Sequence, residues 1–169
     1  VRASTATATD PAGLAARVAP LVRGRVAIDG PDAAGKTTLA LALSGLTGVP
    51  RLAADDFLAP DEVRHLRGRL SPEGYYADAF DLPALRAAVL SYDTVVVDGV
   101  FLFRPELDDL WDVRVFLDVD PATQERRVLA RDAGAPDEIR ARYAARYRPA
   151  YEMYRTAIHP ESRADLVLP

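Results

Sequence analysis

Two hydrophobic regimes alternate along the chain. Short runs rich in Val, Leu and Ile occupy residues 25–29, 49–54, 94–97, 113–117 and 164–168, as expected for strands of a buried parallel sheet. Between them lie segments with helical spacing or helical start signals. Asp10-Pro11 offers an N-cap and first turn for a short helix over 11–18. Leu39, Leu41 and Leu43 lie in an Ala-rich helix predicted over 36–44, closed at Gly45. Ser71-Pro72-Glu73-Gly74 predicts a loop after a short helix in 58–74, and Asp81 caps a helix over 82–90. A further helix starts at Pro121, and a long one starts near 137. In the latter, Ile139, Tyr143, Tyr147 and Tyr151 recur every four residues as a core-facing stripe, and Pro149 kinks or splits it. This order predicts one α/β domain over 10–169, with a mainly parallel sheet and helices on both faces. Residues 1–9 are predicted to be a disordered lead-in.

The turn after the first strand changes the picture most. Gly30-Pro31-Asp32-Ala33-Ala34-Gly35-Lys36-Thr37-Thr38 fits the phosphate-binding loop pattern G-x-x-x-x-G-K-[ST]. Its glycines let successive backbone N–H groups face phosphate oxygens, and the helix N-terminus adds positive potential. Lys36 reaches the β- and γ-phosphates in such a loop, and Thr37 ligates Mg²⁺. Lys36 is also the only lysine of the chain, retained where a compact point charge suits the site. The predicted architecture is therefore a single three-layer P-loop NTPase domain.

Acids follow two further strands. Asp55 and Asp56 lie just past the second, where open α/β sheets place their chemistry. Asp98 ends the run 94–97 in a Walker B arrangement, the acid holding Mg²⁺ directly or through water. Arg64, His65, Arg67 and Arg69 read either as a solvated basic face or as a substrate surface.

Bulk properties narrow the class. A net charge of -4 and a pI near 5.2 argue against a general nucleic-acid binder. Cysteine is absent, which rules out disulfides and thiolate metal sites, and two histidines make a His-rich metal centre a poor expectation. No apolar run approaches the ~20 residues that span a bilayer. The first ten residues lack the layout of a signal peptide, so a cytoplasmic enzyme is expected.

Several further stretches fall in a familiar order: Asp55-Asp56-Phe57, Phe80-Asp81-Leu82-Pro83, Val97-Asp98-Gly99, Phe116-Leu117-Asp118, Arg126-Arg127 to Arg131-Asp132, and Tyr147-Arg148-Pro149. With the loop, they make residues 25–169 resemble P-loop kinases of the uridine kinase and phosphoribulokinase group, nearest to uridine kinase-like proteins. The resemblance implies ATP or another nucleoside triphosphate, Mg²⁺, and phosphorylation of a small alcohol, foremost the 5′-hydroxyl of uridine or cytidine. It makes Asp55 the base that takes the hydroxyl proton, gives Asp81 the ribose hydroxyls, and assigns Asp98 to Mg²⁺. Arg127 and Arg131 become arginines of a lid over about 126–138. One departure stands out. The family's base-binding and oligomer-forming hairpin is replaced by Ser91-Tyr92-Asp93. Tyr75, Tyr76, His65 and Arg69, with Asp56, are then the candidates for reading the acceptor, and a homo-oligomer is a further expectation. Two alternatives stand beside this one. The acceptor is another small alcohol (pantothenate, a sugar phosphate or a natural product), with Arg64, Arg67 or Arg69 serving an anionic one; or the chain is a catalytically silent nucleotide-binding regulator. A GTPase switch is excluded, since the chain has no Asn and no second Lys for a guanine-reading Asn-Lys-x-Asp motif.

Overall fold

Five strands, all pairing in parallel, form the middle layer of a computed structural model that describes residues 10–131, 134 and 136–169. They are β1 (Arg25–Asp29), β2 (Arg51–Ala53), β3 (Val95–Asp98), β4 (Val113–Leu117) and β5 (Leu166–Leu168), in the spatial order β2-β3-β1-β4-β5. Strand alternation divides the core in two. Val26, Ile28, Val96, Val113, Val115 and Leu117 face one side, where they meet α1 (Pro11–Val18) and α2 (Lys36–Thr47) through Leu14, Val18, Leu39 and Leu43. Ala27, Val95, Val97 and Phe116 face the other, against α5 (Leu82–Leu90), the segment 100–111 and α8 (Arg148–Ile158). Each large apolar side chain so buried contributes about 1.5–3 kcal/mol. The three-layer α/β expectation is met. The lead-in expected over 1–9 lies outside the described residues.

Local departures from the sequence reading have physical causes. The helix after the loop runs past Gly45 to Thr47, because the left-handed residue that ends it is Gly48, at φ 72°, whose N–H bonds the Ser44 carbonyl. The stretch 71–74 is a helix start rather than a loop. Ser71 Oγ accepts the Gly74 N–H at 2.9 Å and Pro72 opens α4 (Pro72–Asp78), which follows a short α3 (Asp61–Arg64). The long C-terminal helix divides as Pro149 requires. Between α7 (Pro136–Arg142) and α8, Tyr143–Tyr147 form a π turn, closed by the Arg148 N–H on the Tyr143 carbonyl. The remaining α-helices among the described residues are α6 (Pro121–Arg131) and α9 (Pro160–Arg163). Among the described residues no helix is long and apolar enough to cross a membrane.

Candidate active site

At the carboxyl end of β1 the chain must turn sharply beneath β4. Gly30 makes that turn at φ 154°, and a Cβ there would meet the Leu117 carbonyl at 2.8 Å. Ala33 and Gly35 are left-handed, at φ 57° and 99°, and α2 begins with no side-chain cap on its N–H groups. Uncapped donors behind a left-handed turn suit phosphate oxygens. Lys36 is 9% exposed and donates from Nζ to the Pro31 carbonyl at 2.6 Å. Burial lowers its pKa, while Asp32, Asp29, Asp55 and Asp98 pull it back up.

Beneath the loop, Asp29 is fully buried. One of its oxygens accepts the Gly30 N–H at 2.6 Å; the other accepts Leu102 N–H, Phe103 N–H and the Tyr154 hydroxyl. Desolvation raises its pKa to about 6, against these hydrogen bonds and the Lys36 charge. The carboxylate thus ties the loop to the segment after β3 and to α8.

Thr37 Oγ1 donates to Asp98 Oδ2 at 2.9 Å, which brings the two predicted Mg²⁺ residues together. Arg51 also grips Asp98, through Nε at 2.6 Å and Nη2 at 2.9 Å. Among the described residues no three acidic or histidine side chains gather into a metal cluster. One hydroxyl and one acid fit Mg²⁺ of the kind that takes its other ligands from phosphates and water.

Two cavities meet at this loop. The first, of about 710 Å³, is lined by Asp32, Ala33, Ala34, Gly35, Lys36, Thr37 and Thr38, by Asp98, and by an apolar rim of Pro11, Leu14, Leu117 and Pro169. The second, of about 730 Å³, is lined by Tyr75, His65 and Arg69 together with Arg64, Arg142 and Arg146. Asp32, Asp55 and Arg131 line both. Asp55 stands on the 3₁₀ turn Ala54–Phe57 that β2 delivers. Burial raises its pKa, opposed by Lys36 and reinforced by Asp98 and Asp56. Desolvation likewise raises Asp32.

Not every predicted site residue arrives. Asp56 lines neither cavity. Asp81 also lines neither; its Oδ1 caps α5 on the Ala84 N–H at 2.9 Å, and the helix start accounts for it. Tyr76 turns away to pack on Phe101, under the Arg104 guanidinium at 4.6 Å from its ring. Arg67 is taken up by Asp78 at 2.8 Å. Arg127 donates to the Ala33 and Ala34 carbonyls at 3.2 and 3.3 Å, so it reaches the loop itself. The expected lid over 126–138 includes residues 132, 133 and 135, which lie outside the described residues. The connection from α5 to β3 is as short as the sequence indicated, with the Tyr92 N–H on the Val89 carbonyl.

The three-layer fold that carries this loop is one seen in solved structures. A possible uridine kinase from Bacillus stearothermophilus superposes with a TM-score of 0.72 at 21% identity, covering 92% of this chain and 97% of that one. A protein assigned as a fructose transport system kinase from Silicibacter sp. TM1040 gives 0.69 at 25% identity, covering 95% and 100%. A gluconokinase from Sinorhizobium meliloti 1021 gives 0.53 at 19% identity, covering 84% and 93%. The fold is that of the small-molecule P-loop kinases. Comparison with protein-family models and with curated proteins finds no match.

Within the P-loop kinase fold, some contributors escaped the sequence reading. Pro11 and Leu14 of α1 line the loop cavity, and Tyr143 and Tyr147 of the supposed core stripe line the second. Arg51, Arg142 and Arg146 carried no motif; only the meeting of β2 with β3, and the π turn, bring them in.

Proposed function

We propose that the chain is an ATP- and Mg²⁺-dependent phosphotransferase that acts on a small-molecule alcohol. The observation that carries this reading is the position of Asp55, on the shared wall of the loop cavity and the second cavity. A triphosphate tail held by the loop and an alcohol held next door would both adjoin that carboxylate.

In this mechanism the acceptor oxygen attacks the γ-phosphorus. A new P–O bond forms as the bond to the β,γ-bridging oxygen breaks, and its electron pair leaves with ADP. The hydroxyl proton passes to Asp55, whose burial makes it the more basic. Lys36 and the uncapped N–H groups of α2 bind the β- and γ-phosphates. Arg127 and Arg131 add positive charge over the transferred group. Thr37 and Asp98 would hold Mg²⁺, which would supply neutralising charge for the phosphoryl transfer.

As to the acceptor, the uridine kinase resemblance favours the 5′-hydroxyl of uridine or cytidine. Tyr75, at a half-buried site between Phe101 and Tyr147, is the residue that supports a base-stacking role. That reading gives the ribose hydroxyls to Asp81, whose Oδ1 also caps α5. The test is ATP consumption by the purified chain with Mg²⁺ against a panel of alcohols. Acceptor-dependent ADP release with a phosphorylated product is expected; ATP bound but never transferred to any alcohol would favour the silent regulator instead.

A further inference from the structure

The second cavity is cationic in a way that transfer chemistry alone does not require. Among the described residues its walls carry five arginines against three aspartates. Two of those aspartates, Asp32 and Asp55, belong to the junction with the loop. The third, Asp61, is shared among Arg64 at 3.1 Å, His65 at 3.2 Å and Arg69 at 3.4 Å.

Arg146 is the decisive residue. It is 5% exposed, yet it forms no ion pair with any described acid. Its contacts are the Arg69 carbonyl at 2.5 Å, the Arg64 carbonyl at 3.4 Å, and the face of Tyr75 at 5.4 Å. A buried guanidinium is normally paired, because desolvating a lone charge costs several kcal/mol. Two neutral carbonyls leave the charge uncompensated and three of its five N–H donors uncommitted. Those carbonyls belong to the two arginines beside it, so Arg146 also fixes the backbone that presents them. Arg142, on the same wall, likewise has no acidic partner among the described residues.

We infer that the missing counter-ion is the acceptor itself, an alcohol carrying a carboxylate or phosphate that Arg146, Arg142 and Arg69 bind while its hydroxyl faces Asp55. This rests on the phosphotransferase reading above and narrows it away from neutral nucleosides. The site is one wall of the second cavity, apart from Lys36 and Thr37, which line only the first. Asp61 acts as a stand-in anion that holds Arg64, His65 and Arg69 until the acceptor arrives. It therefore competes with the acceptor.

Matched pairs that differ in charge test this: ribose 5-phosphate against ribose, and gluconate against glucose, each assayed for ATP-dependent transfer. The anionic member of at least one pair is expected to be favoured in kcat/KM by roughly tenfold or more, the worth of a charge-assisted hydrogen bond. Arg142→Ala, on an exposed residue that can be lost without a core defect, should raise KM for that anion about tenfold with kcat little changed. Asp61→Asn should move the same KM in the opposite direction. Neutral acceptors used as well as anionic ones, or an anion preference unmoved by both variants, would overturn the proposal. Equilibrium dialysis of radiolabelled ribose 5-phosphate and gluconate separates anion binding from phosphoryl transfer. Retention that Arg142→Ala weakens, with no transfer to any alcohol, would keep the anion site and sink the transferase. Transfer to ribose, glucose or uridine alone would do the reverse, and no retention of either anion would overturn the anion site.

Discussion

The Arg51 guanidinium holds both carboxylate oxygens of Asp98, at 2.6 and 2.9 Å, while Thr37 holds one of them from the other side. Asp98 is 4% exposed, so the pair neutralises an acid that could not otherwise sit there. Arg51→Gln should therefore destabilise the fold by about 2 kcal/mol, within the range for an uncompensated buried group. Urea titration measures this. The same variant frees Asp98 for a cation, so half-maximal turnover should need less Mg²⁺; an unchanged Mg²⁺ requirement would remove Asp98 from metal binding.

Asp29 sets a pH dependence. Its native pKa is about 6, against 3.8 in an exposed chain, so the native state holds its proton more tightly than the unfolded one. Between these values stability falls as pH rises, by up to roughly 3 kcal/mol. Asp29→Asn abolishes that dependence. Denaturation at pH 4, 5, 6 and 7 should show the difference between variant and parent changing through this window and flat above it.

Asp55→Asn should cut acceptor-dependent turnover by about two orders of magnitude or more, as for loss of a positioned base. ATP binding should survive, since Lys36 and the loop are untouched. Asp56→Asn, altering a residue outside both cavities, should have the smaller effect. A larger effect from Asp56 would reassign the base.

Lys36→Ala should lose most turnover, for no other lysine exists to replace it. Arg127→Ala differs in kind. Its guanidinium lies on the carbonyls of Ala33 and Ala34, so its loss should slow transfer more than it weakens acceptor binding. Equal losses in kcat and in acceptor affinity would make it a surface charge.

Residues with local signatures are legible in the sequence. The strand ends at Asp29 and Asp98, the loop from Gly30 to Thr38, and the caps at Asp10 and Asp81 all follow from backbone chemistry within a few residues. Ser71 was misread because Ser-Pro-x-Gly serves a turn as readily as an N-cap, and only the Gly74 N–H at 2.9 Å decides it. The second cavity was legible only in part. His65 and Arg69 belonged to an evident basic run, but Arg142 and Arg146 lie more than seventy residues away and join it across the fold. Asp81 illustrates the converse ambiguity, in which one position both matches a family motif and caps a helix, through Oδ1 on the Ala84 N–H.

The π turn at Tyr143–Tyr147 inserts one residue into an otherwise regular spiral. Ahead of it and within it, Arg142, Tyr143, Arg146 and Tyr147 look into the cavity; beyond it, Tyr151 and Tyr154 look into the interior. Shortening the chain by one residue here would rotate everything downstream by about 100°. It would swing Tyr154 off Asp29 and so unfasten the loop from behind. The spacing of this helix is thus constrained along its whole length, and a change of length here should be tolerated less well than a change of any of its rings other than Tyr154, whose hydroxyl makes the fastening.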